Sequence, residues 1–187
     1  MRIGIDIDDT ITNSYNKILE ELQKEYGINR FDYINQGKTY YDIEQQKQRF
    51  PGYDKFCSDN FERILRDVPL KHGVVEILNK LRDNGHDIFF ITARHLGEYK
   101  NPYEFTKKFL DEHQINYNEL HTGIMNKGKF CQENNIDLFI DDTVKHCKSA
   151  KDHNIKAFLF DNTFNRETDE YDRVYSWYDV YERLEQN

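Results

Sequence analysis

The sequence predicts an α/β protein built on a doubly wound parallel sheet, and three observations carry that expectation. Short apolar runs alternate with helix-like segments from residue 86 onward, which is the pattern of β-α units. A further run, Arg2–Ile7, opens the chain. The segment from Asn13 to about His72 holds no convincing β-run and reads as a helical insertion after that first strand.

Each element has a local reason. Thr12 or Asn13 can cap a helix whose apolar residues Ile18, Leu19 and Leu22 recur at helical spacing, and Gly27 stands where a C-terminal glycine belongs. An aromatic-rich stretch follows, with Phe31, Tyr33, Tyr40, Tyr41, Phe50, Tyr53, Phe56 and Phe61, interrupted by Gly37, Pro51 and Gly52. Val74–Asn84 carries Val74, Ile77, Leu78 and Leu81 on one face, with Gly85 after it. Strands are expected at Asp87–Ile91, Asp137–Ile140 and Lys156–Phe160, with a weaker one at Leu120–Met125. The helices between and after them fall at Pro102–His113, Lys127–Asn134, Thr143–His153 and around Trp177–Leu184.

Composition limits the partners. The chain of 187 residues has 26 basic and 34 acidic side chains, a formal charge of −8. A surface of that sign repels a phosphate backbone, and no run of Lys and Arg forms a basic stripe, so polymeric nucleic acid is not an expected partner. With 13 Tyr and 13 Phe there is enough apolar matter for a good core. No stretch approaches the ~20 apolar residues of a membrane span. The N-terminus shows no signal-like apolar region, and Cys57, Cys131 and Cys147 form no CxxC pair, so a reducing cytoplasm is expected.

In open α/β sheets ligands bind beyond the carboxyl ends of the strands. Strand one ends in Asp6-Ile7-Asp8-Asp9-Thr10, the second in Thr92-Ala93-Arg94, and the run at 137–140 in Asp141-Asp142. Asn126-Lys127-Gly128-Lys129 follows the weak strand. With 19 Asp and 9 Thr, chance alone gives roughly 0.1 of a DxDxT but about two Asp-Asp pairs, so only the first is informative by itself. Clustered carboxylates raise one another's pKa unless a divalent cation neutralises them, and Mg²⁺ suits oxygen ligands beside a phosphate.

The spacing of Asp6 and Asp8 places both on one side of a strand end. Asp6 is expected as nucleophile on phosphorus and Asp8 as general acid and base, with Thr92 and Lys127 holding phosphoryl oxygens. Thr92, Ala93 and Arg94 form the expected phosphate loop. For Arg94 a contact to the acidic cluster or a surface ion pair stands beside the phosphate contact. Lys129 competes with Lys127, and one of Asp141 and Asp142 also suits capping of the next helix.

This ordered set, Asp6-x-Asp8-x-Thr10, Thr92, Lys127 and Asp141-Asp142, resembles the four motifs of the haloacid dehalogenase (HAD) superfamily, and the insertion looks like its C1-type cap. The chain is similar in particular to the 5′(3′)-deoxyribonucleotidase (cytosolic type C) family and its bacterial relatives. Leu159-Phe160-Asp161-Asn162-Thr163-Phe164-Asn165-Arg166 and Arg173-Val174-Tyr175-Ser176-Trp177 resemble that family's closing segment. The resemblance implies a core of 1–13 and 73–187 with a cap of 14–72. It also implies Mg²⁺ held by Asp6, the backbone carbonyl of Asp8 and Asp142, with Asp141 as an additional partner. The expected substrate is a small phosphorylated molecule, a (deoxy)nucleoside monophosphate, on whose base some cap aromatics stack. A phosphatase of another small phosphometabolite and a non-catalytic binding module are the alternatives. Asp9 departs from the family's usual glycine. The phospho-receiver domain shares these residue types but not their order along the chain.

Overall fold

The computed structural model describes residues 1–27, 53–163, 165–166 and 170–185. Six strands form one sheet, all parallel, in the order β3-β2-β1-β4-β5-β6. They are β1 (Arg2–Ile5), β2 (Asp87–Ile91), β3 (Glu119–His121), β4 (Leu138–Asp141), β5 (Lys156–Phe160) and β6 (Asp172–Val174). The described helices are α1 (Ser14–Tyr26), α2 (Tyr53–Leu65), α3 (Val74–Asp83), α4 (Pro102–Glu112), α5 (Lys127–Glu133), α6 (Val144–Asp152) and α7 (Trp177–Glu185).

Period-two alternation explains why the strands read as continuous apolar runs. Ile88 and Phe90 enter the larger core with Ile3, Ile5, Leu138 and Ile140, while Phe89 and Ile91 enter a second core with Phe139 and Leu159. Both faces of the sheet are therefore covered, as a parallel sheet requires. The larger core also takes in Ile18, Leu19 and Leu22 of α1 and Phe56, Ile64 and Leu65 of α2, so these helices pack into the body of the protein. The chain starts in the middle strand, builds outward through β2 and β3, then returns to β4 on the other side. That reversal puts the topological switch point between β1 and β4, whose carboxyl ends bear the acids.

Several local expectations are corrected. β1 stops at Ile5, although the Asp6 amide still donates to the Ile140 carbonyl at 2.9 Å. β3 is confined to Glu119–His121, because the chain turns at Gly123, whose φ is 74°. β6 has no counterpart among the expected strands, since three residues with one buried side chain carry no periodicity. α1 is not capped by the side chain of Thr12 or Asn13. Both carboxylate oxygens of Asp9 instead accept from the Tyr15 amide at 3.1 Å, and Asn13 turns to the carbonyls of Pro69 and Leu70. Gly27 ends α1 in the left-handed conformation as expected.

Part of the aromatic stretch forms α2, whose Phe56 and Phe61 are buried. Phe31, Tyr33, Tyr40, Tyr41 and Phe50 lie outside the described residues, as do Gly37, Pro51, Gly52, Phe164 and the side chain of Tyr53. The two ends of the segment between β1 and α3 meet in a short bridge. Thr12 pairs with Leu70, the Asn13 amide donates to Pro69 at 2.9 Å, and the Lys71 amide donates to Ile11 at 2.8 Å.

Candidate active site

The ends of β1 and β4 bring Asp6, Asp141 and Asp142 together, all buried, each offering a carboxylate oxygen within 4.8 Å of the others. Lys127 is buried among them. Its Nζ donates to Asp6 Oδ1 and, at 2.7 Å, to Asp141 Oδ2. It reaches that depth because α5 lies hard against α6: a Cβ on Gly128 would stand 2.2 Å from the Ser149 carbonyl oxygen. Only glycine permits that approach. Lys129, the other candidate, is exposed and pairs with Glu133.

The loops are fixed by directed hydrogen bonds. Asp141 Oδ1 accepts from the Thr143 amide at 2.7 Å, an Asx turn that fixes the loop ahead of α6, whose own N-cap residue Thr143 makes no side-chain cap bond, so the capping expected of one of the paired acids is not found. Thr10 Oγ1 accepts from the Asp142 amide at 3.1 Å, and the Thr10 carbonyl accepts from Trp177 Nε1 at 3.1 Å, tying α7 to the first motif. Asn162 Nδ2 donates to Asp142 Oδ2 at 3.1 Å, and Asn165 Nδ2 donates to the Asp142 carbonyl at 2.7 Å. Asp9 has φ 61°, so it takes the left-handed position that usually calls for glycine; Asp tolerates it better than most residues.

Asp8 stands apart from the trio. Its side chain is 29% exposed, and it faces Arg94, which donates from Nε to Oδ2 and from Nη2 to Oδ1, both at 2.8 Å. Ser14 Oγ also donates to Asp8 Oδ1 at 2.5 Å. Thr92 is buried at the end of β2, with its Oγ1 accepting from the Arg94 amide at 3.3 Å, and Ala93 is half-buried between them. Arg94 thus makes neither a surface ion pair nor a contact with the buried trio; its carboxylate partner is Asp8. The side chains missed in the sequence are Ser14, Thr106, Asn162 and Asn165; Asn162 and Asn165 lay inside a quoted motif, and Ser14 and Thr106 gave no signal.

The proton affinities follow these surroundings. Burial pushes the Asp6 carboxyl up to about 7, against the pull of Lys127 and with a further push from Asp141 and Asp8. Burial and the charges of Asp9, Asp141 and Asp6 push Asp142 well above the ordinary carboxylate range. For Asp8 burial also acts upward, but the charge and hydrogen bonds of Arg94 and the bond from Ser14 outweigh it, and the net shift is down. Lys127 is held charged: burial opposes its charge, and Asp141 and Asp6 more than restore it.

Charge counting tests the pocket against a metal. Three carboxylates facing one ammonium leave two negative charges uncompensated in a buried space, and the raised Asp6 and Asp142 carboxyls are the symptom. A hard divalent cation with oxygen ligands fits both the deficit and the donors.

A six-stranded parallel sheet with acids at its switch point, a threonine and a lysine is an arrangement suited to phosphoryl transfer. Solved structures share the fold. A HAD-superfamily hydrolase of Geobacter sulfurreducens matches with a TM-score of 0.65 at 14% identity, over 98% of this chain and 95% of that one. The HAD hydrolase YfnB of Bacillus subtilis, described as bound to magnesium, matches at 0.64 and 14%, over 98% of both chains. Among curated proteins, OB0422 of Oceanobacillus iheyensis, whose name assigns it provisionally as a nucleotidase, is 24% identical over 96% of both chains. The model of the family described as 5′ nucleotidase, deoxy (pyrimidine), cytosolic type C matches residues 1–186, and the chain belongs to that family. It is accordingly a phosphoric monoester hydrolase.

Proposed function

We propose that this protein hydrolyses (deoxy)nucleoside 5′-monophosphates through an aspartyl-phosphate on Asp6, with Mg²⁺ at the acid pocket. The observation that carries the reading is the meeting of Asp6, Lys127, Asp141 and Asp142 at the switch point, with Asp8 at the rim. Asp6, the backbone carbonyl of Asp8 and Asp142 would hold the ion, with Asp141 engaged by Lys127 and Thr143 beside them. Bound there, Mg²⁺ would supply the two missing positive charges and keep Asp6 ionised, so that the pocket no longer repels a phosphate.

The chain's own groups do the rest. The Asp6 carboxylate attacks phosphorus as the ester P–O bond breaks, and Asp8 gives its proton to the departing oxygen. An arriving phosphate dianion raises the proton affinity of Asp8, so the acid form becomes available when it is needed. Asp8 then takes a proton from the water that displaces Asp6 from phosphorus, releasing inorganic phosphate. The Thr92 hydroxyl and the Lys127 ammonium would meet phosphoryl oxygens, with Ala93 supplying backbone in the same loop.

The division into a core of 1–13 and 73–187 and a cap of 14–72 is part of this proposal, supported by the bridge of Thr12 to Leu70. A cytoplasmic setting is supported by the family's description as cytosolic, and Cys131 and Cys147 are buried thiols. No described helix is long and apolar enough to cross a membrane. Phe56 and Phe61 are committed to the core, so base stacking by a cap aromatic falls to the others.

The test is phosphate release with Mg²⁺ from 5′- and 3′-deoxynucleotides, sugar phosphates and p-nitrophenyl phosphate, beside an Asp6→Asn control. The expected ranking puts 5′-nucleotides first. A lead for sugar phosphates would leave a phosphatase of another small metabolite, and no release above the control would end the hydrolytic reading.

A further inference from the structure

Arg94 ends up in an unexpected place. Its guanidinium is buried, and the two sides of its fork go to a single carboxylate, Nε to Asp8 Oδ2 and Nη2 to Asp8 Oδ1, both at 2.8 Å. Nη1 donates to Thr106 Oγ1 at 3.2 Å, and the ring centroids of Tyr99 and Phe105 lie 5.6 Å from its central carbon. The backbone is pinned as well: the amide of Arg94 donates to Thr92 Oγ1, and its carbonyl accepts from Gly123 at 2.8 Å. Protein groups occupy the fork, its far nitrogen and its flanks. A planar fork suits this task, because it fixes both oxygens of a carboxylate at once, which an ammonium cannot do.

We infer that Arg94 is a positioning residue for the reaction, whose fork sets the orientation of Asp8 at the pocket rim, and is not a grip on the substrate phosphate. The inference rests on the reading of Asp8 as the group that exchanges protons with the leaving oxygen and the water. Thr106 in turn fixes the fork, so it belongs to the same chain of support.

Leaving-group dependence separates the two roles. When Asp6 displaces an alkoxide, the departing oxygen must receive the Asp8 proton as its bond to phosphorus breaks. A p-nitrophenolate departs without it. A residue acting through Asp8 therefore matters for nucleotides and little for p-nitrophenyl phosphate, whereas a phosphate grip matters equally for both.

The experiment measures kcat/KM for a deoxynucleoside 5′-monophosphate and for p-nitrophenyl phosphate, and the inhibition constant of inorganic phosphate, in wild type, Asp8→Asn, Arg94→Lys and Thr106→Val. Expected for Arg94→Lys is a fall of about 10²-fold on the nucleotide, less than about 10-fold on the aryl ester, and phosphate inhibition changed by less than about 3-fold. Thr106→Val should show the same selectivity at a few-fold. It decides the matter if the buried Arg94 variant does not fold. Equal losses on both substrates with inhibition by phosphate weakened more than about 10-fold would overturn the inference. If Asp8→Asn is selective and the Arg94 and Thr106 variants are not, the positioning role fails alone. If Asp8→Asn itself lacks selectivity, the acid assignment fails and takes the inference with it.

Discussion

Asp6 and Asp8 leave the same strand two residues apart, yet their surroundings treat them in opposite ways. Asp6 is sealed in with Asp141 and Asp142, Lys127 is bonded to two of the three, and the Asp6 carboxyl is pushed up to about 7. Asp8 keeps some exposure, has an arginine fork to itself, and its carboxyl is held below the ordinary value. The same side chain thus meets two charge balances: with its acids ionised the Asp6 half is short of two positive charges, and the Asp8 half is neutral on its own. In the first surroundings a carboxylate needs a further cation to stay ionised, and in the second it rests ionised, so the proposed proton carrier takes up its proton only when a phosphate dianion arrives beside it.

The most drastic way to break this contrast is Lys127→Met, which leaves three buried acids facing one another. A loss of about 3–5 kcal/mol in metal-free urea unfolding is expected, with phosphate release down about 10³-fold or more. Retained stability would mean that Lys127 does not balance the pocket. Asp142→Asn sharpens the count of charges. Calorimetric titration should show Mg²⁺ binding weakened by at least about 10-fold, and unchanged affinity would remove Asp142 from the metal site.

Asp9 adds a pH dimension. Burial lifts its carboxyl from 3.8 to about 7, against the Tyr15 amide and the charge of Lys71. A carboxyl whose affinity for protons rises on folding stabilises the fold while protonated. That contribution is complete below the ordinary value and is lost as the pH climbs through 7. Asp9→Asn cannot ionise, so it should gain on wild type across that window, by up to about 4 kcal/mol at about pH 8 in urea midpoints without divalent cation. A constant difference from acid to alkaline pH would refute this. At the small end, Lys129→Ala should change stability by less than about 0.5 kcal/mol and activity hardly at all, because its ammonium is exposed.

The strands of this fold were legible because parallel strands covered on both faces read as apolar runs, and the acids were legible because they end those runs. Lys127 stayed ambiguous with Lys129 in sequence; what separates them is the contact of Gly128 with Ser149, which no local pattern encodes. Arg94 was readable as a cation near the site, but which anion it meets depends on α4 delivering Thr106 and the loop delivering Tyr99. β6 and the cap of α1 escaped for a related reason. A three-residue strand has no period to detect, and the α1 cap comes from Asp9, five residues ahead of the helix, where ordinary capping rules do not look.

The bridge joining Thr12 to Leu70, with the flanking bonds of Asn13 to Pro69 and Lys71 to Ile11, closes the base of the inserted segment like a clasp. Because the loop's ends are already fixed side by side, the entropy of closing it grows only logarithmically with its length, about 0.6 kcal/mol for each doubling. Changes of length within that segment that spare the core residues of α1 and α2 therefore cost little chain entropy and leave the sheet and its acids in position, so one phosphoryl chemistry can be refitted to new substrates there.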